Sequence, residues 1–194
     1  MINKSFLNKI ASQLKLFQRE RGNIIKLSRD ILQASKEAIF ATHRLDYKSA
    51  QQNIIKAETV IKDLKKNYDK SNRLQFEGSY LAAMEEYVEA KYFLAIMKNE
   101  KLDLLKSGNI SPEGYINGLA DITGELVRQA VLQSTTGNFK NLQNYRNLTD
   151  DLIGFMMNLY LSGQSRQKFD EAKRNLKRLE QILYEVKIRE LENK

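Results

Sequence analysis

Ser111-Pro112-Glu113-Gly114-Tyr115-Ile116-Asn117-Gly118-Leu119-Ala120-Asp121-Ile122-Thr123-Gly124-Glu125-Leu126 opens a helix with its first two residues and carries chemistry in its last six. Serine before a helix caps an early backbone N–H, and proline at the first helical position gives up a donor that would have no partner there. Beyond Pro112 apolar residues recur at threes and fours, which predicts a helix to about Ser134. Asp121 and Glu125 stand four apart on one face of it, on a stripe that runs back through Gly118 and Gly114 and forward through Arg128 to Leu132. The two glycines let another backbone come close to that face.

The same period extends outward in both directions. Helices are predicted over about residues 4–45, with Gly22 a point of bending, 47–67, 72–98, a short piece at 102–105, 139–161 and 165–192. Short connections between six or seven helices describe an all-α, single-domain bundle over residues 1–194 with antiparallel neighbours. Composition agrees. One proline and nine glycines in 194 residues speak against a many-turned β-sandwich or barrel, and a chain of this mass can bury about 70% of its surface in one core.

The absence of cysteine removes disulfides, thiolate zinc sites, iron–sulfur clusters and thiol nucleophiles, and fits a reducing, cytoplasmic compartment. No apolar run reaches the roughly 18 residues of a spanning helix, and residues 1–17 read as an amphipathic, lysine-bearing stretch, so no membrane partner is expected. Thirty-two Lys and Arg against 24 Asp and Glu give +8, which suggests a polyanionic partner, nucleic acid ahead of membrane.

With His43 the only histidine, Ser-His-Asp, Cys-His and zinc-hydrolase arrangements lack parts. Carboxylates remain. Glu86 and Glu89 are three apart on one stripe of their helix, between Ala82 and Phe93, whereas Glu85 is turned about 100° away and reads as solvated. Two acidic pairs on inward faces would repel unless protons or a cation offset them. Four oxygen donors without His or Cys describe a hard-metal site for Mg²⁺, with Mn²⁺ as the alternative. The Glu-x-x-His pairs of di-iron bundles are absent. Read blandly, the same acids lie on solvated faces.

Several segments together resemble the translin superfamily, and most closely its translin-associated factor X branch. They are Lys26-Leu27-Ser28-Arg29-Asp30-Ile31, Ser35-Lys36 with Ile39-Phe40 and His43-Arg44, Glu86-Tyr87-Val88-Glu89-Ala90, Gly118 to Leu126, and the closing Tyr184-Glu185-Val186-Lys187-Ile188-Arg189. The match runs in order along nearly the whole chain. It implies a seven-helix subunit of a closed, hollow, octamer-like shell, and a Mg²⁺-dependent endoribonuclease whose acids face the interior. Position by position, those acids fall on Glu86, Glu89, Asp121 and Glu125. They would hold one or two Mg²⁺ and hydrolyse single-stranded RNA, with one glutamate orienting the water.

The basic, His-containing cluster by which translin grips nucleic acid has no counterpart, since that stretch reads Leu74-Gln75-Phe76-Glu77-Gly78-Ser79. The chain also lacks the N-terminal extension and the long insertion of eukaryotic relatives, which resembles a prokaryotic or archaeal form and favours a homo-oligomer over a shell shared with a second translin-like subunit. Phosphate contacts are expected from Arg128, one turn beyond Glu125, and from Arg29, Lys36 and His43 at seven-residue spacing on the first helix. The run Arg166, Lys168, Lys173, Arg174, Lys177 and Arg178, with acidic neighbours, reads as a solvated face. Leu176, Leu179, Ile182, Leu183 and Val186 form a seam suited to intersubunit contact. The alternatives to a nuclease are a non-catalytic single-stranded RNA or DNA binding shell and a helical scaffold whose acids only make salt bridges.

Overall fold

The computed structural model describes residues 3–70 and 72–192; Met1, Ile2, Ser71, Asn193 and Lys194, and with them the ends of the 1–194 span, lie outside the described residues. Six α-helices follow one another: α1 (Lys4–His43), α2 (Tyr47–Tyr68), α3 (Gly78–Met97), α4 (Pro112–Thr135), α5 (Leu142–Met157) and α6 (Gly163–Glu192), with a 3₁₀ turn at Arg73–Phe76. No strand occurs among the described residues. Among them, too, no helix is long and apolar enough to cross a membrane.

The Ser111–Pro112 start is as read, with the Ser111 hydroxyl accepting from Gly114 N–H at 3.0 Å. Three helix ends share one device. After α1, α3 and α4 the chain turns left-handed at Leu45 (φ 61°), Asn99 (φ 58°) and Gly137 (φ 73°). In each case the next N–H reaches back to a carbonyl five residues earlier, as from Asp46 to Ala41 at 3.0 Å, Glu100 to Ala95 at 2.8 Å and Asn138 to Gln133 at 3.0 Å.

α3 begins at Gly78 rather than at 72. Asn72 is left-handed, and Arg73 then pins the 3₁₀ turn to α1, reaching Glu20 at 2.6 Å, Glu77 at 3.2 Å and the Phe17 carbonyl at 3.1 Å. Residues 102–105 form no helix. Flanking side chains bond that backbone instead, Tyr92 donating to the Asp103 carbonyl at 2.8 Å and Tyr115 accepting from Leu105 N–H at 3.0 Å.

α1 packs on α2 and α3, α4 bridges α3 and α6, and α5 lies on α4 and α6. Ile31, Ile54, Ile61, Tyr87, Phe93 and Leu126 centre the core. Leu179 and Ile182 of the α6 seam are buried in that same core, while Leu176, Leu183 and Val186 are half-buried. At the end of α5 Met156 is buried while Phe155 and Met157 are exposed, as is Tyr160 just beyond the helix.

The N-terminal half of α1 has no such cover. Phe6, Leu7, Ile10, Leu14 and Phe17 are all exposed, and the accessible surface of 12488 Å² exceeds the roughly 9,500 Å² of a compact chain of this mass.

Candidate functional site

The approach of α4 to α3 is set by Gly118. A Cβ there would lie 2.6 Å from Val88 Cγ1 and 2.9 Å from the Glu85 carbonyl oxygen, so only hydrogen fits. This close crossing brings Asp121 and Glu125 into the electrostatic field of Glu86 and Glu89. The residues between the two α4 acids look the other way. Thr123 is fully buried, donates to the Ala120 carbonyl at 2.7 Å and accepts from Asn175 of α6 at 2.9 Å. Asp121-Ile122-Thr123-Gly124-Glu125 thus offers its acids to α3 and seats α6.

Glu89 is the most enclosed of the four acids, 7% exposed. Burial, then the charges of Glu86, Asp121 and Glu125, push its carboxyl up to about 9, so it carries a proton at neutral pH in the metal-free protein. Burial also raises Glu86, with Lys36 pulling it back and Asp121 and Glu125 adding to the rise. Burial raises Asp121 as well, against a hydrogen bond from Lys168.

Asp121 and Glu125 each have a hydrogen-bonding partner from another helix. Lys168 Nζ of α6 reaches Asp121 Oδ2, and also Glu85 Oε2 at 3.1 Å. Glu85 further accepts from Asn117 at 2.9 Å and Gln164 at 3.4 Å. His43 Nε2 is hydrogen-bonded to Glu125 Oε2, its Nδ1 lies 2.8 Å from Gln129 Oε1, and its ring sits 4.7 Å from that of Phe93. Arg128 lies 3.7 Å from Glu125 and is otherwise open to solvent.

The structure moves His43 from the contact surface to the acids. It is 8% exposed, because the end of α1 is enclosed by α3 and α4, and it orients Glu125 rather than facing solvent. Lys36 and Arg128 keep exposed positions beside the acids; Arg29 is exposed about 10 Å further along α1.

Glu85 and Lys168 are the residues that a sequence reading misplaces, for neither is solvated. Lys168 shares the buried face of α6 with Ala172, Asn175, Leu179 and Ile182, a spacing that marks it as inward.

Among the described residues no three His, Asp or Glu side chains stand close enough to share one metal ion as they are arranged. Asp121 is drawn to Lys168 and Glu125 to His43. The donor chemistry nevertheless suits a hard divalent cation: four carboxylates within reach of one another's charge, one of them driven neutral chiefly by burial, gain from any positive charge placed among them.

The family model for the translin family matches residues 19–190. The chain belongs to the translin family. Among translin relatives, an uncharacterised protein of Methanocaldococcus jannaschii is 29% identical over 78% of this chain and 68% of its own length. Translin-associated protein X of Mus musculus is 24% identical over 96% of this chain and 77% of the relative. The helical fold is shared with the crystal structure of AfC3PO, at TM-score 0.84 and 25% identity over 95% of this chain and 98% of that one. The AfC3PO complex with duplex RNA matches at TM-score 0.80 and 22% identity, with the same coverage of both chains.

Proposed function

We propose that this translin-family chain is a cytoplasmic, Mg²⁺-dependent endoribonuclease that cleaves single-stranded RNA inside a closed homo-oligomeric shell. The observation that carries the reading is the meeting of Glu86 and Glu89 with Asp121 and Glu125 in one partly buried, mutually repelling cluster. A protein that only bound phosphates would gain nothing from concentrating negative charge where they lie. Similarity to translin-associated protein X supports the nuclease reading, and the AfC3PO complex supports RNA as the polymer. The uncovered apolar stripe of α1 supports assembly.

Glu86, Glu89, Asp121 and Glu125 would hold the metal. When bound, Mg²⁺ supplies positive charge that polarises a phosphodiester and acidifies water. The chain's own residues do the rest. Lys36 and Arg128 stand exposed beside the acids, where they attract the backbone of RNA, and Arg29 extends that path along α1. His43 fixes the Glu125 carboxylate, and Lys168 fixes that of Asp121. The half-buried setting keeps bulk water off the acids.

A non-catalytic RNA-binding shell is the second reading, favoured by one observation, that the acids as arranged bring no three ligands together. The test is cleavage of end-labelled single-stranded and duplex RNA with Mg²⁺, with EDTA, and by the Glu89→Gln protein. Metal-dependent fragments absent from the variant are expected, with the single strand preferred. Salt-sensitive retention of uncut RNA in every lane would establish the second reading instead.

A further inference from the structure

Among the described residues Lys168 is the lysine whose ammonium lies across two carboxylates here, and the two differ in company. Asp121 belongs to the proposed metal ligands, whereas Glu85, one turn before Glu89 on α3, is also held by Asn117 and Gln164. The lysine is well enclosed, its side chain 18% exposed, and it reaches the acids from a third helix whose register is locked by Asn175 on Thr123. Beside Glu85, the amide oxygen of Asn117 is buried without a hydrogen-bond partner, an acceptor left open in the same cluster.

We propose that Lys168 is the site's resident cation: its ammonium occupies the charge position at Asp121 that a divalent metal takes over, with Glu85 retaining the lysine once Asp121 turns to the metal. The inference rests on the metal-dependent reading of the site. It follows from charge counting. Lys168 already places a positive charge on the Asp121 carboxylate, so a metal reaches that carboxylate only by displacing it. Paired with Lys168, Asp121 exchanges one cation for another. The second partner matters as much, because an ammonium released with no carboxylate of its own would remain beside the incoming ion and repel it. Lys168 therefore competes with the metal, and its removal tightens metal binding.

The test is calorimetric and electron-paramagnetic titration of Mn²⁺ into the full-length, assembled protein, comparing wild type with Lys168→Gln, Lys168→Arg and Glu89→Gln. Helix content and particle size are checked in parallel. Lys168→Gln is expected to bind Mn²⁺ about tenfold more tightly than wild type, since a competing unit charge has gone. Lys168→Arg keeps the charge and adds a second donor for Asp121, and binds no more tightly than wild type. Should the glutamine variant fail to fold, tighter binding by the arginine variant overturns the proposal and equal or weaker binding supports it. Equal or weaker binding by Lys168→Gln, with binding still lost in Glu89→Gln, overturns the role of Lys168 while leaving the metal site standing. No Mn²⁺ binding by wild type or Lys168→Gln, or binding untouched by Glu89→Gln, overturns the metal reading and this inference with it.

Discussion

The acids of α3 and the acids of α4 enter the same cluster with different company. Asp121 has Lys168 and Glu125 has His43, each through a direct hydrogen bond, whereas Glu86 has only the more distant charges of Lys36 and Lys168, and burial leaves Glu89 neutral. Compensated carboxylates are fixed in direction and can be stable without a ligand. Uncompensated ones store unfavourable energy that a proton or a metal releases. The α4 side therefore supplies geometry, and the α3 side supplies the drive to take up a cation.

Removing one acid from each side probes that division most severely. Glu89→Gln and Asp121→Asn are both expected to lower RNA cleavage by about a hundredfold or more, measured as single-turnover rates at saturating Mg²⁺. Only the second also takes from Lys168 one of its two carboxylates, so Asp121→Asn should lose more thermal stability than Glu89→Gln. A milder attack unpairs Glu125: His43→Gln is expected to cost about tenfold to a hundredfold in cleavage with RNA affinity unchanged. Loss of RNA binding in its place would return His43 to the contact surface.

Separating the two sides is the next test. Gly118→Ala should cost about 1–3 kcal/mol in urea unfolding, because α4 must shift off Val88, and cleavage should fall with it. The pH response then isolates the α3 side. Glu89 is held near 9 in the folded protein and near its ordinary 4.5 in the unfolded chain, so between those values the folded state keeps a proton that the unfolded state has lost. Its contribution is complete at the acid end and disappears as pH rises, so the midpoint of thermal unfolding of the metal-free protein should fall from about pH 5 to pH 9. Glu89→Gln should flatten that slope, and so should added Mg²⁺. The smallest effect is a control away from both sides. Leu45→Gly relieves a left-handed leucine at the end of α1 and should stabilise by about 1 kcal/mol or less, with cleavage unchanged.

Helix content and the four acids were legible in the sequence because both depend on spacing along one helix. The Ser111–Pro112 start, the acid stripe and the close approach at Gly118 all follow from period and residue type. What was not legible crosses between helices. Lys168 and Asp121 are 47 positions apart, and acidic neighbours around the lysine disguise it as part of an ordinary charged surface. Glu85 reads as solvated until the lysine opposite it is known, and His43 reads as a surface residue until α3 and α4 close over it. The start of α3 was misplaced for another reason: an arginine clamp onto α1 overrode local helix preference after Asn72. Leucine at the left-handed end of α1 gave no glycine signal to read.

Gly118 has a consequence for how this protein can change over generations. Every single-base change to a glycine codon that is not silent either stops translation or installs a residue with a Cβ, and at this position that atom would fall 2.6 Å from Val88. No amino acid one base change away from glycine is neutral for the contact between α3 and α4. Trimming Val88 to alanine would not release the position, because the Cβ of residue 88 at 2.8 Å and the Glu85 carbonyl oxygen at 2.9 Å would remain, so drift here needs the helix crossing itself to widen first.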